Sequence, residues 1–126
     1  DRVKPRTVLE PAYDDELGVT AAFNRNLLRH VNRLLGADFA PAAWQHVGLY
    51  NAEESRIEMH LQAHGAQTVR WDGGTRSFAD GERLHTENSY KWDPEDFEAL
   101  LREAGFGPPR HWTDANNWFS VFWAPA

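Results

Sequence analysis

Apolar residues between Val19 and Leu35 fall at Val19, Ala22, Phe23, Leu27, Val31, Leu34 and Leu35, near the i, i+3, i+4, i+7 spacing of one helix face. This predicts the clearest helix of the chain, with Thr20 as its N-cap and Gly36 closing it in the C′ position. A second amphipathic helix is predicted in "DPEDFEALLREAGF", with Asp93 as cap, Pro94 at the first helical position, acids in the first turn and Gly105 at the end. Elsewhere the period is two. Ile57, Met59 and Leu61 alternate with Glu58, His60 and Gln62, as in a half-buried strand, and a strand is also expected around His46 to Tyr50. Gln67 to Trp71 is expected to return after a turn near Gly65. "WDGGTRSFADGERL" reads as turn-rich, and its Gly-Gly pair as a turn only. Trp118 to Trp123 is a dense run of β-formers suited to a buried strand. The opening "DRVKPRTVLEPAYDDELG" reads as a polar connection with one helical turn, its acids Asp14, Asp15 and Glu16 a solvated turn.

The expected class is α+β: a small antiparallel sheet with two main helices and a C-terminal strand pair. Composition narrows the picture further. The 126 residues, 41% hydrophobic and 25% charged, suit one globular domain. A net charge of −6 argues against binding to nucleic acid or to an anionic membrane surface. With no cysteine, disulfides, thiolate metal sites and a cysteine nucleophile are excluded. No apolar run reaches the length of a membrane span, no signal peptide is visible, and a cytoplasmic location is the default expectation. The chain opens at Asp1 and its single methionine is Met59, which is expected of a trimmed chain or a piece of a longer protein.

One stretch carries more chemistry than a strand needs. In "LHTENSYKW", strict alternation places Leu84, Thr86, Asn88, Tyr90 and Trp92 on one face and His85, Glu87, Ser89 and Lys91 on the other. A carboxylate beside a hydroxyl is either a solvated face or a site for a small polar ligand. A hydrolytic triad of Ser89, Glu87 and His85 is not expected, because residues in a row on one strand cannot make the mutual hydrogen bonds. No nucleotide-binding fingerprint and no HExxH occurs. His60 and His64 do not bring together the three or four ligands of a zinc site, so no metal is expected.

The segments "AYDDELGVTAAFNRNLLRHVNRLLGADF", "RIEMHL", "GERLHTENSYKW" and "LREAGFGPPRHWTD…FSVFW", in this order, resemble the histidine N-alpha-methyltransferases of ergothioneine biosynthesis. These enzymes use S-adenosyl-L-methionine and no metal. The resemblance implies a C-terminal part, since the family's cofactor-binding core with its Gly-rich loop precedes this region. Residues 1–92 would be a substrate-recognition region, and 93–126 the last helix and strands of a Rossmann-like methyltransferase sheet. Glu87 and Ser89 would hold the substrate imidazole, Met59 would be its apolar wall, and Tyr13 would meet the substrate's amino-acid end. Phe23 is a weaker wall candidate, with core packing the simpler role. No general base can be named. The partner would be L-histidine and its methylated forms, the full-length enzyme a monomer, and the fragment alone prone to self-association. Two alternatives stay open: another amino acid such as tryptophan as substrate, or a non-catalytic ligand-binding module.

Overall fold

The computed structural model describes residues 1–126. In chain order it forms α1 (Arg6–Tyr13), α2 (Val19–Leu35), a 3-10 turn (Pro41–Ala43), β1 (Trp44–Asn51), β2 (Arg56–Ala63), β3 (Gln67–Trp71), β4 (Gly74–Phe78), β5 (Arg83–Tyr90), α3 (Pro94–Glu103), β6 (Arg110–Thr113) and β7 (Ser120–Trp123). The class is α+β, with one three-stranded antiparallel sheet in the order β1-β2-β5 and two ribbons, β3-β4 and β6-β7.

Several expectations are corrected. The opening segment holds a full helix rather than a single turn. Burial of Leu9 against Ile57 and Met59 stabilises α1 although Pro11 removes one donor from its ladder. Helix α2 begins one residue before Thr20, and its cap comes from outside it. The Asp15 carboxylate accepts from the backbone N–H groups of Val19 and Thr20 at 2.9 and 2.8 Å, and Gly18 adopts φ 71° between them. Asp15 therefore does more than fill a solvated turn. Asp93 sits at the N-cap of α3 but its side chain makes no capping bond; only its carbonyl accepts, from Phe97. Strand β3 does not pair with β2. It pairs with β4, a strand hidden in the turn-rich stretch, through the tight Asp72–Gly73 turn.

Two clusters cover one face of the main sheet. Leu28 of α2 packs with Trp44, Leu61, Ala63, Val69 and Phe78, and Leu9 of α1 packs with Ile57 and Met59. The opposite face carries Glu58, His60, Gln62, His85 and Asn88 and has no helix on it. The last strand is only half covered within this chain: Trp118, Phe119, Val121 and Trp123 are each about half exposed. A ribbon of two strands offers one ladder and no covering layer, so alternate residues of β7 stay outside.

Candidate functional site

The register of the sheet decides which side chains meet. Met59 lies opposite Gly48 on one side and Glu87 on the other, and Ile57 lies opposite Tyr50 and Ser89. A β-bulge between Met59 and His60 lets β5 advance two residues, from His85 to Glu87, while β2 advances one. Thr86 is the extra residue, and its hydroxyl donates to the Met59 carbonyl at 2.9 Å. The bulge breaks the strict alternation expected for this strand. Glu87 and Ser89 share the helix-covered face with Met59, while His85 is turned to the other face beside His60. A Ser89, Glu87 and His85 constellation is thereby ruled out by topology.

Tyr13 reaches the same face from the end of α1. Its backbone lies against Gly48, where a Cβ would sit 3.1 Å from the Tyr13 carbonyl oxygen, so the glycine admits the close approach. The Tyr13 hydroxyl and Ser89 Oγ are 2.8 Å apart, and Lys91 Nζ donates to both, at 2.7 and 2.8 Å. Lys91 is 2% exposed and also faces the Asp1 carboxylate at 3.3 Å. Its backbone is pinned to the β1–β2 turn by Lys91 N–H to Ser55 O (2.7 Å) and Ser55 Oγ to Lys91 O (2.9 Å). Burial pushes the Tyr13 phenol up, but hydrogen bonds from Lys91 and then Ser89 outweigh it and hold the phenol below its ordinary value.

Helix α2 supplies the other wall. Phe23, Asn24, Asn26, Leu27 and His30 line a cavity of about 210 Å³ with Thr86 and Glu87. The Glu87 carboxylate is exposed and makes no hydrogen bond or ion pair within the chain, so it is open to a ligand from outside. Asn24 anchors the wall. It is 3% exposed, and its amide donates to the His60 carbonyl (3.1 Å) and to His46 Nδ1 (2.9 Å). Since Asn24 supplies the proton at Nδ1, His46 is the neutral tautomer whose Nε2–H donates to the Tyr13 carbonyl at 2.7 Å. Asn24 and His46 thus tie α2 to the residue that carries the phenol.

Of the expected site residues, the fold gathers Tyr13, Glu87 and Ser89 on one face and sets Phe23 in the cavity with Glu87. Phe23 is 65% exposed, which rules out core packing as its role in this chain. Met59 is on the right face, opposite Glu87, but is 3% exposed and packed with Leu9 and Ile57, so it supports the floor more than it lines the opening. Lys91, Asn24, His46 and His30 were not singled out from sequence. The one signal was the cation two residues after Ser89; Asn24 and His46 are far apart in the chain and meet only through the packing of α2 on β1.

The profile of the S-adenosylmethionine-dependent, histidine-specific methyltransferases matches residues 1–126. The chain is 50% identical to the histidine N-alpha-methyltransferase of Mycolicibacterium smegmatis over 90% of its own length and 36% of the relative's. It is 48% identical to the Mycobacterium tuberculosis protein of the same name over the same shares. Ergothioneine biosynthesis protein 1 of Neurospora crassa is 30% identical over 85% of this chain and 12% of the relative. The chain therefore spans about a third of its bacterial relatives, and it belongs to the family of histidine-specific methyltransferases dependent on S-adenosylmethionine.

Proposed function

We propose that this chain is the substrate-recognition part of a longer histidine N-alpha-methyltransferase, with residues 1–92 reading the amino acid and 93–126 joining a Rossmann-like core in the remainder. The free Glu87 carboxylate beside the Tyr13–Ser89–Lys91 triangle is the observation that carries this reading. Lys91 donates into Ser89 Oγ, so the Ser89 proton is left to point at a ligand or at Tyr13. Once Tyr13 donates to Ser89, the Ser89 hydroxyl donates to the bare ring nitrogen of an imidazole. Glu87 accepts from the ring's N–H on the other side. Two opposed partners select one tautomer and fix the ring plane, and a bond to the charged carboxylate contributes about 1.5–3 kcal/mol. Tryptophan has a single ring N–H and no second ring nitrogen, so it cannot use both partners.

S-adenosylmethionine would supply the methyl group from its sulfonium. Most of that cofactor's site would lie in the remainder of the protein: no strand here runs through a Gly-rich loop into a helix, the arrangement that cradles such a cofactor in a Rossmann-like core. What this chain contributes is orientation, holding the imidazole end so that the α-amino group is presented to the rest of the enzyme. The full-length protein incubated with S-adenosylmethionine is expected to methylate the α-amino nitrogen of L-histidine and to leave tryptophan untouched, as read by mass spectrometry. Methylation of tryptophan at an equal rate, or of neither, would contradict the proposal.

A further inference from the structure

The opposite face of the sheet carries a second cluster that the methyl-transfer reading leaves unused. Glu58 and His60 are two apart on β2, and His85 is the cross-strand partner of His60 on β5. Residues i and i+2 of one strand with the facing residue of the next lie on one sheet face, close enough to touch. Here a donor atom from each of the three lies within 4.8 Å of the other two. The two imidazoles are stacked, with centroids 4.6 Å apart and planes 24° from parallel. Strict alternation would have put His85 on the face of Glu87; the bulge at Thr86 is what delivers it to His60.

We propose that Glu58, His60 and His85 bind one divalent transition-metal ion of the zinc, cobalt and nickel class. The donor set is two imidazoles and a carboxylate, the mixture that suits such ions. Glu58 divides its oxygens. Oε1 accepts from Arg56 Nε (2.9 Å) and Asn51 Nδ2 (3.0 Å), which orient the carboxylate from behind, and Oε2 is left with His60 Nε2 alone, at 3.1 Å. With metal–ligand bonds of about 2.0–2.1 Å, the edge of a tetrahedral site is about 3.3 Å. The Glu58–His60 edge therefore already has the right length. Binding through Nε2 moves the His60 proton to Nδ1, which is buried with no hydrogen-bond partner in the chain, and this lowers the affinity of the site. His85 is exposed, and it can turn one ring nitrogen inward by giving up its stacking on His60 and its 3.2 Å bond to the Glu87 carbonyl, which water can replace. Three protein donors leave a fourth position for water. The guanidinium of Arg56, 2.8 Å from Glu58 Oε1, repels a second cation and weakens the site relative to the same donors without it.

Titration of the full-length protein with Co²⁺, followed by the visible absorption of the bound ion, tests this. One equivalent is expected to produce the band of a low-symmetry four-coordinate site, and Zn²⁺ is expected to abolish it. His85→Ala, at an exposed position, is expected to keep the far-ultraviolet circular dichroism and to weaken Co²⁺ binding at least about tenfold, the scale of losing a ligand or its support. His64→Ala, at an exposed histidine outside the cluster, is expected to change nothing. Absence of the band, or a band that survives His85→Ala at equal affinity, would overturn the proposal.

Discussion

Lys91 is a buried ammonium with three oxygens around it: the Tyr13 phenol, the Ser89 hydroxyl and the Asp1 carboxylate. Such a charge is tolerated only because every proton has a partner. Lys91→Met keeps the volume and removes the donor. Tyr13 and Ser89 are then left to pair with each other, and burial with the Glu87 charge opposes the Ser89 bond alone. Its titration, followed by tyrosinate absorbance, is expected to move to higher pH than in the wild type; an unchanged curve would mean that Lys91 does not set the state of the pair. Histidine affinity is expected to fall by up to about tenfold, the scale of one ordinary hydrogen bond. At this scale the sequence was informative where the residues share one strand. Glu87 and Ser89 stand out because a carboxylate and a hydroxyl interrupt a run of β-formers, but which oxygens Lys91 would meet depends on α1, which the polar composition of the opening segment concealed.

Asp15, Gly48 and the Thr86 bulge each act through a whole element. The Asp15 carboxyl is lowered from 3.8 to about 2, first by the Thr20 backbone N–H, then by the Thr20 side chain and the Val19 N–H. A depressed carboxyl stabilises the fold fully above its unfolded value near 3.8, and the contribution disappears as pH falls through about 2. Asp15→Ala is expected to lower the thermal midpoint at neutral pH and to flatten its acid decline between those two values; a parallel decline in both proteins would contradict the capping role. Gly48→Val forces a branched side chain into space the Tyr13 backbone occupies at 3.1 Å. Overpacking of this kind costs about 1–3 kcal/mol, and it is expected to weaken histidine binding while Trp44→Ala, in the other cluster, costs about 3–5 kcal/mol of stability, as chemical denaturation would show. The helices α2 and α3 were legible because a 3.6-residue period persists through each. Strand β4 and the facing of His85 were not: β4 has a polar, glycine-flanked sequence, and a bulge is a pairing of two strands that neither strand announces alone.

At the scale of the molecule, the β6–β7 ribbon gathers large apolar side chains that its own chain leaves half covered. Trp112, Trp118, Phe119, Val121 and Trp123 are each between 47% and 57% exposed. Apolar surface gathered on a two-stranded edge favours association. The isolated 126-residue chain is expected to self-associate in light scattering, and Val121→Lys with Trp123→Glu to reduce this; a monomeric wild-type chain would contradict it. The same chain is expected to transfer no methyl group by itself, since the proposed function puts the Gly-rich cofactor loop in the remainder of the protein. The central claim concerns Glu87, whose carboxylate waits unpaired beside Ser89, and calorimetric titration of L-histidine into full-length wild type and Glu87→Ala tests it most directly. Removing the acceptor takes from the ring N–H its charged partner, at a cost of about 1–3 kcal/mol, so affinity is expected to drop roughly 10- to 100-fold while S-adenosylmethionine binding is unchanged. Equal histidine affinity in the two proteins would show that Glu87 belongs to a solvated face and does not read the imidazole.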